Sequence, residues 1–181
     1  EVKYMAARLP KERQSLFFSA TVPVKVQEVI REFLKDPVTV SVKAQDVPVN
    51  VEQSVVRMQG RSKLEVLHDL LLQVGMEKVL IFGRTKWGME KLGKALIDRG
   101  FKLATIHGNK SQGARRRAME QFKNNQIKML IATDVAARGL DIQNVTHVIN
   151  FDAPESYEDY VHRIGRTGRA DKTGRAITFM D

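Results

Sequence analysis

From residue 51 onward the sequence predicts an α/β fold, a mostly parallel sheet flanked by helices in three layers. Three observations carry that expectation. Short apolar runs alternate with longer segments of helical period, and strands joined through helices imply right-handed crossovers and parallel pairing. Two of the runs, 78–82 and 129–132, are apolar enough for central strands covered on both faces. The polar residues of chemical interest then fall just after predicted strands, at the rim where ligands gather in open parallel sheets.

The elements follow in order. Residues 14–18 form an apolar run ending in Ser19-Ala20-Thr21. Pro23 and the spacing of Val26, Val29, Ile30, Phe33 and Leu34 then predict a helix that stops before Asp36-Pro37. Residues 38–42 read as a strand, and 43–50, with Pro48, as a connecting segment at a domain boundary. The expected domains are therefore 1–42, a linker at 43–50, and 51–181. Within the last, strands are expected at 52–58, 78–82, 102–106, 128–132, 145–151 and 175–180, and helices at 62–74, 86–99, 112–124 and 156–164. No internal repeat or low-complexity tract interrupts this pattern.

A net charge of +9, from 30 Lys and Arg against 21 Asp and Glu, favours a polyanionic partner such as nucleic acid. With 7% aromatic residues, binding should lean on the phosphate backbone. Without cysteine, no disulfide framework or Cys-based metal site can form, and His68, His107, His147 and His162 are too scattered to suggest a metal cluster. No apolar run approaches the roughly 20 residues of a membrane span, and the start lacks the pattern of a signal peptide, so a soluble, cytoplasmic protein is expected.

The stretch His162-Arg163-Ile164-Gly165-Arg166-Thr167-Gly168-Arg169 concentrates the chemistry. Its glycines should interrupt a helix and let neighbouring guanidiniums converge on an anion, where a planar five-donor fork fits phosphate oxygens. The same residues also suit a plain helix terminus, with cations offsetting the dipole. Thr85, His107-Gly108 and Thr133-Asp134 each follow a predicted strand, where hydroxyls and glycine amides bind phosphate or cap the next helix; for Ser111 capping is the better reading. Residues 88–95 nearly satisfy the G-x-x-x-x-G-K-[ST] phosphate loop. Ala95 nevertheless stands where a hydroxyl should hold magnesium, and Met89, Leu92 and Leu96 carry a helical period through the segment.

Taken together, Ser19-Ala20-Thr21, the segment 79–85, His107-Gly108 with Gln112 and Arg115, the run 131–141, and 162–169 resemble DEAD-box RNA helicases in order and spacing across the whole chain. The resemblance implies a second RecA-like domain preceded by the end of a first. The phosphate loop and the Asp-Glu-Ala-Asp motif that handles Mg2+ would lie upstream, so this chain alone is expected to be inactive. It further implies that Arg166 and Arg169 approach the γ-phosphate of ATP, that Asp141 meets the ribose, and that Thr85, Gly108, Arg115 and Thr133 contact RNA, with Gln112 supporting them. Ser19, Thr21, Arg138 and His162 would couple the two domains. The implied partners are RNA, ATP with Mg2+, and the first RecA-like domain; the implied activity is ATP-driven local unwinding of RNA duplexes. An ATP-dependent RNA clamp that does not unwind, and a DNA-directed relative, are the alternatives.

Overall fold

The computed structural model describes residues 4, 7–10, 12–19, 22, 24–41, 50–137, 142, 144–168 and 172–180. The chain divides into two compact units, Glu1–Ala44 and Gln45–Asp181.

The first unit contains helix α1, Val24–Phe33, as its spacing predicts. Residues 38–41, expected to begin a strand, form none, and Val38 and Val40 are 90% and 84% exposed; Val42 lies outside the described residues. A run of β-branched residues supplies strand propensity, but a strand exists only where a neighbour completes its ladder.

The second unit alternates as expected: β1 (Val51–Arg57), α2 (Lys63–Leu71), β2 (Val79–Phe82), α3 (Lys86–Ile97), β3 (Leu103–Ile106), α4 (Gln112–Lys123), β4 (Met129–Ala132), α5 (Asp134–Ala137), β5 (His147–Asn150), α6 (Tyr157–Ile164) and β6 (Gly174–Met180). The six strands form one sheet in the order β1-β6-β5-β2-β4-β3, and every pairing is parallel. β2 and β4 are buried at every position, as apolar runs between two helical layers should be. Alternation along β2 sends Leu80 and Phe82 into a core with Phe122 of α4 and Ala136 of α5, and Val79 and Ile81 into a second core with Leu67 of α2 and Leu96 of α3. Tyr160 and Ile164 of α6 pack on Val51 and Ala176. This is a three-layer α/β/α arrangement.

Helix starts are set locally. Ser62, Thr85, Ser111 and Ser156 each accept a backbone N–H with the side-chain oxygen, and Ser62 with Glu65 completes a reciprocal capping box. The expected capping role of Ser111 is thus observed. α3 stops at Gly100, whose φ of 89° lets Phe101 N–H reach Leu96 O and its own N–H reach Ile97 O. α2 ends earlier than its apolar count suggests, because Leu72 and Val74 fall off the buried face, at 65% and 102% exposure. α5 was not expected, since four residues carry no readable period.

Candidate functional site

Strand order makes the C-terminal ends of β5, β2, β4 and β3 neighbours, so Thr85, Thr133 and Gly108 follow three adjacent strands on one rim. Thr85 Oγ1 accepts the Gly88 N–H at 3.0 Å. That capping bond uses the oxygen and leaves the hydroxyl proton available to a ligand oxygen. The chain before it is held by Asp152, whose Oδ2 accepts the Arg84 N–H at 2.8 Å. Thr133 is 8% exposed, and its carbonyl accepts the N–H groups of Ala136 and Ala137 to open α5.

The turn after β3 is pinned from α3. Buried His107 accepts the Asn109 N–H at Nδ1, 3.3 Å, which leaves Nε2 as the protonated nitrogen 2.8 Å from Glu90 Oε2. Lys110 donates to the other Glu90 oxygen at 2.6 Å. The Lys110 hydrogen bond, reinforced by His107, holds the Glu90 carboxyl below the usual carboxylate range against its partial burial. Gly108 is exposed between these anchors, and a Cβ there would meet nothing within 4 Å. Packing in this chain therefore does not require glycine at 108, whereas close approach of a ligand to the backbone would.

Along 162–169, the expected convergence of guanidiniums is overturned for Arg163. That residue is 2% exposed and spends its fork inside the fold. Nε and Nη2 grip Asp134 at 2.7 and 2.8 Å, while Nη1 donates to Asp152 O at 2.7 Å and Asn150 Oδ1 at 3.3 Å. The guanidinium also lies 5.3 Å from the Phe82 ring centroid. Arg163 thus locks α6 to α5 and to the end of β5. Spacing alone missed this; the available signal was Asp134, a carboxylate beside a buried strand end that needed a cation.

The turn after α6 orders the remaining residues. α6 ends at Ile164 with Gly165 as its cap, at φ −64° and ψ 3°, and the left-handed residue is Gly168, at φ 67°. A Cβ on Gly168 would stand 2.5 Å from Val51 Cγ2 and 3.0 Å from Asn50 O. Thr167 is buried and donates to Val145 O. The turn leaves Arg166 half-buried beside His162, Asp134, Asp159 and Arg163 around a recess of 10 Å³. Arg115 is half-buried too, its Nη2 donating to Ala136 O at 3.1 Å and its Nη1 to Gln112 Oε1 at 3.5 Å, so it ties α4 to α5 behind Thr133. Arg116 is exposed and pairs with Glu120 on the solvated face of α4. Ser19 is exposed in the first unit. Ala20, Thr21, residues 43–49, Arg138, Asp141 and Arg169 lie outside the described residues.

Residues 88–95 belong to α3, with Met89, Leu92 and Gly93 buried, so the near-match to a phosphate loop is a packed helix. Among the described residues no group of three acidic, His or Cys side chains could hold a metal, and no helix is long and apolar enough to cross a membrane. At the opposite rim Lys78, 8% exposed, donates to Lys123 O at the end of α4, and His147 Nδ1 lies 2.9 Å from Thr146 Oγ1. Desolvation, with Arg175 nearby, pushes His147 below the ordinary histidine value.

The structure is an all-parallel sheet with Thr85, Gly108 and Thr133 along one rim and an arginine-bearing turn after α6. Residues 62–171 match the helicase conserved C-terminal domain, and the chain belongs to that family as a DEAD-box protein. It is 45% identical over 181 residues to the DEAD-box ATP-dependent RNA helicase CshA of Bacillus subtilis, covering 99% of this chain and 37% of the relative. The CshA of Geobacillus kaustophilus is also 45% identical, with 99% and 39% covered. The chain thus spans under two fifths of the length of these curated relatives. Among solved structures, Saccharomyces cerevisiae Dbp5 bound to RNA and ADP BeF3 superimposes with TM-score 0.81 at 31% identity, over 99% of this chain and 47% of that one. A DEAD box protein from Methanococcus jannaschii gives TM-score 0.68 at 37% identity, over 99% and 48%.

Proposed function

We propose that this chain is the C-terminal half of an ATP-dependent RNA helicase, with 51–181 as its second RecA-like domain, 43–50 as a linker, and 1–42 as the end of a first RecA-like domain. The observation that carries the reading is the placement of Thr85, Gly108 and Thr133 on three adjacent strand ends, a row of small donors suited to one nucleic-acid backbone. Arg115 backs that row through α5. RNA is the favoured strand, since the relatives are named RNA helicases and the Dbp5 structure holds RNA.

The fit to ATP rests on α6. The recess beside Arg166 and His162 is too small to enclose a nucleotide, so in this reading they would form one wall of a site completed by a first RecA-like domain. Arg166 and Arg169 would meet phosphate oxygens with guanidinium forks, and Asp141 would accept from a ribose hydroxyl. ATP, when bound, supplies the phosphoanhydride whose cleavage drives the cycle. Mg2+ would be held mainly by the first RecA-like domain; among the described residues of this chain no group of three acidic, His or Cys side chains could hold a metal. His162, Arg138, Ser19 and Thr21 would face or belong to the other domain. In the first unit none of the described residues is buried, and Leu16, Phe17 and Phe18, 70%, 42% and 87% exposed, would be covered by the remainder of a first RecA-like domain.

Release of a labelled strand from a short RNA duplex, measured with the protein that carries both domains, tests the proposal. ATP-dependent release that Arg166→Ala abolishes, with nucleotide-free RNA binding retained, is the expected result. RNA binding and ATP turnover without strand release would overturn unwinding.

A further inference from the structure

A groove continues past Thr85 from the rim where RNA binding is proposed. β3 is an edge strand, and between it and α3 runs an open groove of 570 Å³ lined by Trp87, Lys91, Lys94, Ile97, Leu103 and Thr105. Its floor exists because residue 93 is glycine; a Cβ there would stand 2.5 Å from Thr105 Oγ1. At its head Trp87, the one tryptophan of the chain, is 72% exposed in the first turn of α3, two residues beyond Thr85. Lys86 lies 6.0 Å from the Trp87 ring centroid and donates to Asn109 Oδ1 at 3.2 Å, which joins this corner to the Gly108 turn. Trp87, Lys91 and Lys94 follow at i, i+4 and i+7, one face of the helix, and the lysines are exposed. The groove's carboxylate, Glu90, is already shared between Lys110 and His107, so the net character is cationic.

An exposed indole costs solvation unless something covers it, and here it shares a groove with the ammonium groups of Lys91 and Lys94 as well as with the apolar side chains of Ile97 and Leu103. A flat π-face beside cations is the pairing that single-stranded nucleic acid satisfies, base on ring and phosphate on lysine. We propose that the α3/β3 groove extends the RNA path, with a base of single-stranded RNA stacked on Trp87 and the following phosphates neutralised by Lys91 and Lys94. This inference rests on the proposed RNA binding at Thr85, Gly108 and Thr133, and adds to those backbone contacts a base contact tolerant of sequence. An acidic protein segment is the competing occupant.

The sole tryptophan makes the test direct. Single-stranded oligoadenylate and oligouridylate are titrated into the chain while indole emission and the anisotropy of a labelled strand are recorded together, with polyglutamate as the parallel anion. Emission should be quenched along the same curve as the anisotropy, Trp87→Ala should weaken binding roughly tenfold, and Trp87→Phe should recover part of the loss. Lys91→Ala and Lys94→Ala should each reduce the slope of log affinity against log salt by about 0.7. Strand binding by anisotropy with unchanged emission and unaltered Trp87→Ala affinity overturns the inference and leaves RNA binding at the rim standing. Absence of strand binding at low salt overturns both. Emission that responds to polyglutamate but not to RNA assigns the groove to an acidic protein and overturns the proposal.

Discussion

Two arginines three residues apart sit in different surroundings. Arg163 is buried in a four-bond cage, so its loss would leave the Asp134 carboxylate, Asn150 and the Asp152 carbonyl short of a donor. Breaking such a pair costs about 3 kcal/mol or more, and Arg163→Ala should lower the denaturant midpoint of the second unit accordingly. Lysine should rescue it poorly, since one ammonium cannot reproduce a fork that reaches three acceptor groups. Arg166 is half-buried at a recess, and its predicted phenotype is kinetic. In the protein with both domains, Arg166→Ala should cut RNA-stimulated ATP turnover by a factor on the order of 10³ while unfolding free energy moves by no more than about 1 kcal/mol. Near-normal turnover would remove Arg166 from the nucleotide site.

At the scale of elements, glycines separate turns that shape the fold from turns open to a ligand. Gly168→Ala places a Cβ 2.5 Å from Val51 Cγ2 and 3.0 Å from the Asn50 carbonyl at a positive φ, so destabilisation of about 1 to 3 kcal/mol is expected. Gly108→Ala meets no atom of this chain; its unfolding free energy should stay within about 0.5 kcal/mol while RNA affinity falls. An RNA titration beside a urea melt of both variants checks this, and unchanged affinity in Gly108→Ala would take that turn out of the interface. The N-terminal rim of the sheet makes a pH prediction. His147 has its folded value depressed, so the unfolded chain binds the extra proton; this contribution is complete above the ordinary histidine value of about 6.5 and is lost as pH falls below it. Glu90, also depressed, adds a second loss only as pH falls through the carboxylate range. Melts from pH 7.5 to 5 should therefore weaken, and His147→Gln should flatten that part of the profile.

For the whole molecule, the charge of +9 and the proposed rim site predict weak, salt-sensitive RNA binding by this chain, with log affinity falling by about 0.7 per neutralised phosphate. ATP turnover by the chain alone should be negligible, because the one segment resembling a phosphate loop is a packed part of α3. Turnover lost in Lys94→Ala would contradict that. The alternation of apolar runs and helical periods was enough to read the α/β class, each strand and helix of the second unit except α5, and the capping serine at 111, because these depend on local spacing and on side-chain oxygens three residues from the N–H they accept. The pieces that spacing could not reach are those that depend on a distant partner. Residues 38–41 have strand composition but no ladder, Arg163 has motif spacing but a private carboxylate 29 residues away, and the groove at Trp87 exists only because Gly93 lets α3 lie against the edge strand. Local sequence determines which elements form and where they start; which charges are consumed inside the fold, and which remain facing a ligand, is decided by the sheet order that brings remote strand ends together.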